Sequence, residues 1–215
     1  MKLPFLFLLF LSSVSCHAQW KASAGINLPP LIARSVEVSS ELSRHPGYSL
    51  IFQAGQTFKS SHIGLTDYKV DDRISQRKTS GTFLKAGGRI YPGSLSGKQQ
   101  RNRFFAGALL IFSHYNQTAL MRDLLQDSGF GEQYTWVSAK GTTLFPAATI
   151  GFQHQLTRSF ILEWGVQKSF VIRRDNYLGS RQRNYQPGAG SAQSDPFIGY
   201  FQGIVAVKYQ FAGAR

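Results

Sequence analysis

The chain is short of cysteine and of acid: 215 residues hold one cysteine and 11 acidic side chains, against 24 lysines and arginines. Cys16 lies within the first twenty residues, so the rest of the chain has no thiol chemistry and no disulfide framework. Beyond that N-terminal segment no run of 18 apolar residues occurs, which excludes a transmembrane helix. There is no repeat of fixed period, which excludes solenoids and propellers. The histidines His62, His114 and His154 are too scattered in sequence to read as a metal set, and nothing calls for a cofactor. The scarcity of acid leaves a formal charge of +13. Such a charge points to nucleic acid or to an anionic membrane surface.

What is present chooses between these. "MKLPFLFLLFLSSVSCHAQW" has a basic start at Lys2, an apolar run from Leu3 to Leu11 and a small, polar stretch from Ser12 to Ala18. This is the pattern of a secretory signal peptide, with cleavage expected after Ala18. The expected organisation is a signal peptide over 1–18 and one domain over 19–215. An alternative is lipidation at Cys16, although "SVSC" places Ser13 where a lipobox has a branched apolar residue. A secreted basic chain meets anionic membrane more readily than nucleic acid, so no nucleic-acid partner is expected.

The stretch "DPFIGYFQGIVAVKYQF" alternates almost without a break. Phe201, Val205, Val207, Tyr209 and Phe211 share one face, and Gln202, Ala206, Lys208 and Gln210 the other. A period of two means a strand. Similar segments fall at about 19–27, 33–42, 48–58, 79–91, 103–116, 136–156 (interrupted by Pro146) and 159–173. The faces of 103–116 cannot be assigned, because "FFAGALLIF" is apolar throughout. "TALMRDLLQDSG" has helical spacing and suggests a short helix ending near Gly129. The connections after the second and sixth segments are tight, and those after the third, fifth and seventh are long.

Eight strands joined in sequence, with short turns at one end and long loops at the other, predict an all-β, eight-stranded, antiparallel up-and-down transmembrane β-barrel. In lipid a closed barrel is the only β arrangement that pairs every backbone group. Lys168 is a mild misfit, since it falls on the apolar face of its strand. The chain resembles the small outer-membrane β-barrels of Gram-negative bacteria, of the OmpA-like or OmpX-like type. The resemblance rests on the signal peptide, the loop asymmetry and the final "VAVKYQF", followed here by four more residues. It implies an outer-membrane location and contact with outer-membrane lipids, lipopolysaccharide and the barrel-assembly machinery.

Two sets of residues carry the candidate chemistry. Glu37, Glu41, Lys85, Arg89 and Glu163 fall on inward positions and form either a salt-bridged plug or an ion path. Arg73, Arg77, Lys78, Arg173, Arg174, Arg181 and Arg183 lie in or beside the long loops, as solvated charge or as contacts to lipopolysaccharide phosphates. The expected role is non-enzymatic: structural, adhesive or narrow-channel. The alternatives are a lipid A deacylase-like barrel and a lipocalin-like carrier. The first needs a His and a Ser on one face, whereas Ser113 and His114 are adjacent. The second needs apolar faces turned inward.

Overall fold

A computed structural model describes residues 20–60, 74–95, 97, 100–122, 134–170, 185–191 and 201–211. Among the described residues there are ten strands: β1 (Lys21–Asn27), β2 (Ser35–His45), β3 (Tyr48–Ser60), β4 (Ile74–Ile90), β5 (Asn102–Arg122), β6 (Tyr134–Gln155), β7 (Phe160–Ser169), β8 (Tyr185–Gln186), β9 (Gly190–Ser191) and β10 (Phe201–Gln210). Each of β1 to β6 pairs antiparallel with the next, β7 pairs with β10, and β10 returns to β1. The sheet therefore closes on itself with eight strands. β8 and β9 form a small hairpin that hangs on β10 through Phe201 and Ser191.

One hydrogen-bonded row runs Ala22, Leu42, Leu50, Gly88, Ala108, Ala148, Lys168, Phe201. The β10–β1 register carries that row back to the first strand ten residues beyond its start. A stagger of this size in eight strands tilts them by about 40° to the barrel axis. The row climbs toward the long loops as it goes round, so outward residues must be compared by height as well as by register.

The alternation predicted from the sequence is seen in burial. Outward positions are apolar and exposed: Val36, Val38, Phe52, Leu84, Leu110, Ile150, Trp164, Val205 and Val207 among them. Inward positions are buried and mostly polar, with apolar exceptions such as Ile51, Phe83, Phe105, Ile111 and Phe145. Along β5 the outward apolar residues run from Phe104 to Phe112, about 27 Å of strand. With tilt and stagger, the apolar band is about 25 Å tall around the barrel. Aromatic rings border it. Tyr48, Phe104, Phe160, Tyr209 and Phe211 stand toward the turns, and Phe58, Phe112, Phe170 and Phe201 toward the loops. Tyr209 stands edge-on to both Phe160 and Phe211, at 5.5 and 5.4 Å between centroids. Lys168 does face outward, but near the loop-side ring, with its ammonium 4.6 Å from the centre of the Phe201 ring.

Three expectations need correction. Thr118–Arg122 is the end of β5, not the start of a helix. Helical spacing of apolar residues there is outweighed by an unbroken ladder to β6, from Thr118↔Ser138 to Arg122↔Tyr134. Residues 123–129 lie outside the described residues. Second, Pro146 does not interrupt β6: it stays in register opposite Leu110, and its carbonyl accepts from Phe170 N at 2.8 Å. A proline's missing donor costs nothing where only its carbonyl is needed. Third, the connection after β7 is not wholly an external loop, because the β8–β9 hairpin enters the barrel. Several strands are also longer than the sequence suggested. β4, β5 and β6 reach past the apolar band on the loop side, where alternation of hydrophobicity ends while backbone pairing continues.

Candidate functional site

The interior is filled, and its filling is ordered by strand register. Glu37 and Glu41 are four apart on β2, and Lys85 and Arg89 four apart on β4. On a strand this places each pair on one face, about 13 Å apart along the chain. The result is two charged layers.

In the layer nearer the loops, Lys85 Nζ donates to Glu37 Oε2 at 2.8 Å and to the amide oxygens of Gln167 and Gln202 at 3.0 and 3.1 Å. Asn27 Nδ2 donates to Glu37 Oε1 at 3.0 Å, and Gln202 Nε2 to Glu37 Oε2 at 3.1 Å. In the layer nearer the turns, Glu163 meets Arg89 at 2.8 Å and Lys208 at 2.5 Å. Glu41 meets Lys208 at 2.8 Å and Arg89 at 3.8 Å. Gln153 Nε2 bridges both carboxylates at 2.9 Å, and the Tyr91 hydroxyl donates to Glu41.

Three carboxylates thus face three cations. All five residues singled out in the sequence lie in these layers. The sixth charge, Lys208, was read as turned inward but not grouped with them. Its signal was its place on the polar face of β10, opposite Ile161 and two residues from the partner of Glu163. Charges this deeply buried are tolerable only when paired and hydrogen-bonded. Arg89 is further supported by stacking, with its guanidinium 4.1 Å from the centre of the Phe105 ring.

From between the two layers to beyond the upper one, part of the lumen wall is apolar: Ile51 and Leu109 share the row of Gly87, between Lys85 and Arg89, and Ile111 pairs with Lys85 itself. Ile51, Leu109, Ile111, Phe145 and Ala147 are buried together with Ala189. Ala189 comes from the turn of the β8–β9 hairpin. The hairpin is pinned by hydrogen bonds to its carbonyls: Gln167 Nε2 donates to Gly188 O at 2.9 Å, and Ser113 Oγ donates to Pro187 O. Gly188 lies against the Phe83 ring and has φ +80, and Gly190 has φ +88. Only glycine adopts such angles without strain. The sequence "QPGAG" therefore builds a tight, small-residue tip that fits inside a narrow barrel. At the opposite mouth a cavity lined by Lys21, Arg44, His45, Arg103 and Gln210 has a volume of about 60 Å³. That is room for a few waters and too little for a sizeable ligand.

The loop-side cations are mostly beyond view. Arg73, Arg173, Arg174, Arg181 and Arg183 lie outside the described residues, as does the side chain of Arg77. Lys78 is described, on the outer face, with its ammonium 6.0 Å from the Trp136 ring. Ser113 and His114 point to opposite faces: Ser113 into the lumen to Pro187, and His114 outward, where Nδ1 lies 3.2 Å from Thr142 Oγ1. They do not form a nucleophile–base pair. The apolar faces point out, opposite to a carrier barrel.

Together these features define the class: a transmembrane β-barrel of the outer-membrane type, with a filled lumen. No family model and no curated protein matches the chain. It is similar in fold to several solved structures. With the N-terminal β-barrel domain of Pseudomonas aeruginosa OprF it shares 8% identity over 90% of this chain and 98% of that one, with a TM-score of 0.48. With Ail, the attachment invasion locus protein of Yersinia pestis, the values are 10%, 89%, 97% and 0.42. With Neisserial surface protein A they are 10%, 90%, 96% and 0.43. At such identities the likeness is one of fold, and the reading of function rests on the residues.

Proposed function

We propose that the protein is an integral outer-membrane β-barrel with a structural or adhesive role, sealed rather than conducting. The observation that carries this is the inverted burial: an exposed apolar band with aromatic borders around an interior of paired charges. An apolar exterior of this extent is not stable in water, and an unpaired backbone edge is not stable in lipid. The closed β1–β10 seam pairs that edge, and the apolar exterior is the face that lipid solvates. Two charged layers lie in series along the axis, with an apolar wall and the β8–β9 hairpin packed beside the upper one, which favours a plug over an ion path.

Basic residues in and beside the long loops contact lipopolysaccharide phosphates in this reading, through charge-assisted hydrogen bonds. Tyr209 and Phe211 at the end of β10 present alternating aromatic side chains to the barrel-assembly machinery. The test is fractionation followed by planar-bilayer recording. The protein should partition with the outer membrane, require detergent and migrate differently when unheated. It should insert without stepwise conductance. Recovery in the soluble periplasm sinks the barrel reading. Reproducible conductance steps sink the sealed one.

A further inference from the structure

Above the apolar band, the outer face of β4, β5 and β6 forms a polar field with a regular layout. Three cross-strand rows follow from the register: Thr82–His114–Thr142, Ser80–Asn116–Lys140 and Lys78–Thr118–Ser138. The row beneath them is Leu84–Phe112–Leu144, the top of the apolar band on these strands. The pair above them is Leu120–Trp136, with Trp136 56% exposed. The polar field is about 10 Å wide and about 14 Å tall, the footprint of one or two sugar rings.

The charge of this face is of one sign. No aspartate or glutamate occurs anywhere in β3, β4, β5 or β6. Lys78 and Lys140 stand in the field, and Lys59 is exposed at its edge, in the irregular stretch of β3 between Thr57 and Ser60. Within the field, Asn116 Oδ1 and Thr118 Oγ1 are buried without a hydrogen-bond partner.

We infer that this face is a docking surface for a phosphorylated glycolipid of the surrounding leaflet. Its acyl chains lie on Leu84, Phe112 and Leu144. Its phosphate sits between Lys78 and Lys140, where hydroxyl and amide groups complete its hydrogen bonds. Trp136 offers an indole face to a sugar ring. The order along the strand, apolar then cationic and hydroxyl-rich then aromatic, is the order of such a lipid from tail to outer sugar. A protein partner would find no apolar core here, because the centre of the patch is polar. This inference rests on the outer-membrane reading, in which the loops face outward, but places the contact on the strands and not on the loops.

The test uses the full-length protein in zwitterionic detergent, with three probes: phosphorylated lipopolysaccharide, the same glycolipid dephosphorylated, and phosphatidylglycerol. The first should bind best. Lys78→Gln with Lys140→Gln should weaken it roughly tenfold, while Arg158→Gln at the opposite end leaves it unchanged. Heat-modifiable migration checks that each variant is folded, and the exposed single variant Lys140→Gln carries the test if the double one does not assemble. Undiminished binding by these variants overturns the site. Equal binding of phosphatidylglycerol also overturns it, leaving a general anionic contact. Placement is tested separately: Lys140→Cys should react with an impermeant maleimide on intact cells. Failure there, with binding in detergent intact, sinks the orientation and not the site.

Discussion

Lys208 shows how much one side chain can carry. It lies two residues before the end of β10, fully buried, between Glu41 and Glu163. Without it, two carboxylates share Arg89 alone. Lys208→Met should therefore destabilise the barrel by about 3–5 kcal/mol, the cost of leaving a buried charge unpaired. The urea midpoint of the detergent-solubilised protein measures this. The upper layer offers the matching control. Lys85→Met alone should be similarly costly, whereas Glu37→Met with Lys85→Met should recover most of the loss, since removal of both partners leaves no orphaned charge. A double variant as weak as the single one would mean that Gln167, Gln202 and Asn27 depend on the pair for their own positions.

At the level of elements, the β8–β9 hairpin is the piece with fewest holds. It is two residues per strand, and its attachment is a small turn in an apolar pocket, two side-chain bonds to its carbonyls and one ladder pair to β10, Phe201↔Ser191. Gly188 is one of two tight points, with Gly190. A Cβ on Gly188 would meet the Phe83 ring at 3.0 Å with φ at +80. The backbone strain alone costs roughly 1–2 kcal/mol in a residue with a side chain. Gly188→Val should thus raise the undocked population about tenfold, read as faster proteolysis within 185–191. The charged layers below remain closed in this variant, so bilayer conductance should stay absent. Unchanged proteolysis would mean that the tip has room to turn.

For the whole molecule, the decisive property is that its outside is solvated by lipid. Ile150 stands near the middle of the apolar band and is 52% exposed. Ile150→Arg should cost about 2–4 kcal/mol in bilayers, while Arg at Thr157 in the β6–β7 turn should cost near zero. Reversible unfolding in lipid vesicles makes the comparison. Equal effects at both sites would place Ile150 outside the hydrocarbon. The two-residue period of the strands made this architecture legible, because on each strand it sorts apolar from polar directly. The faces of β5 were not legible. Phe105, Leu109 and Ile111 are apolar yet point inward: Leu109 and Ile111 are buried in one cluster with the hairpin's Ala189, and Phe105 lies under the Arg89 guanidinium. An apolar patch inside a polar lumen erases alternation at those positions.

The sequence by itself determined the strand count, the up-and-down order, the outward and inward faces of most strands, and five of the six charges that fill the barrel. Those follow from local rules, since alternation along a strand and tight turns between strands depend on near neighbours. Tertiary structure alone decided which charges meet. Lys208 joins Glu41 across 167 residues of chain, and Lys85 reaches Gln202 across 117. It also decided that "QPGAG" folds inward as a plug, because its small size is informative only once the lumen around Ser113, Phe83 and Gln167 exists. The polar field beside Lys78 and Lys140 has the same origin. Its rows come from inter-strand register, which the stagger of a closed barrel sets and no single strand contains.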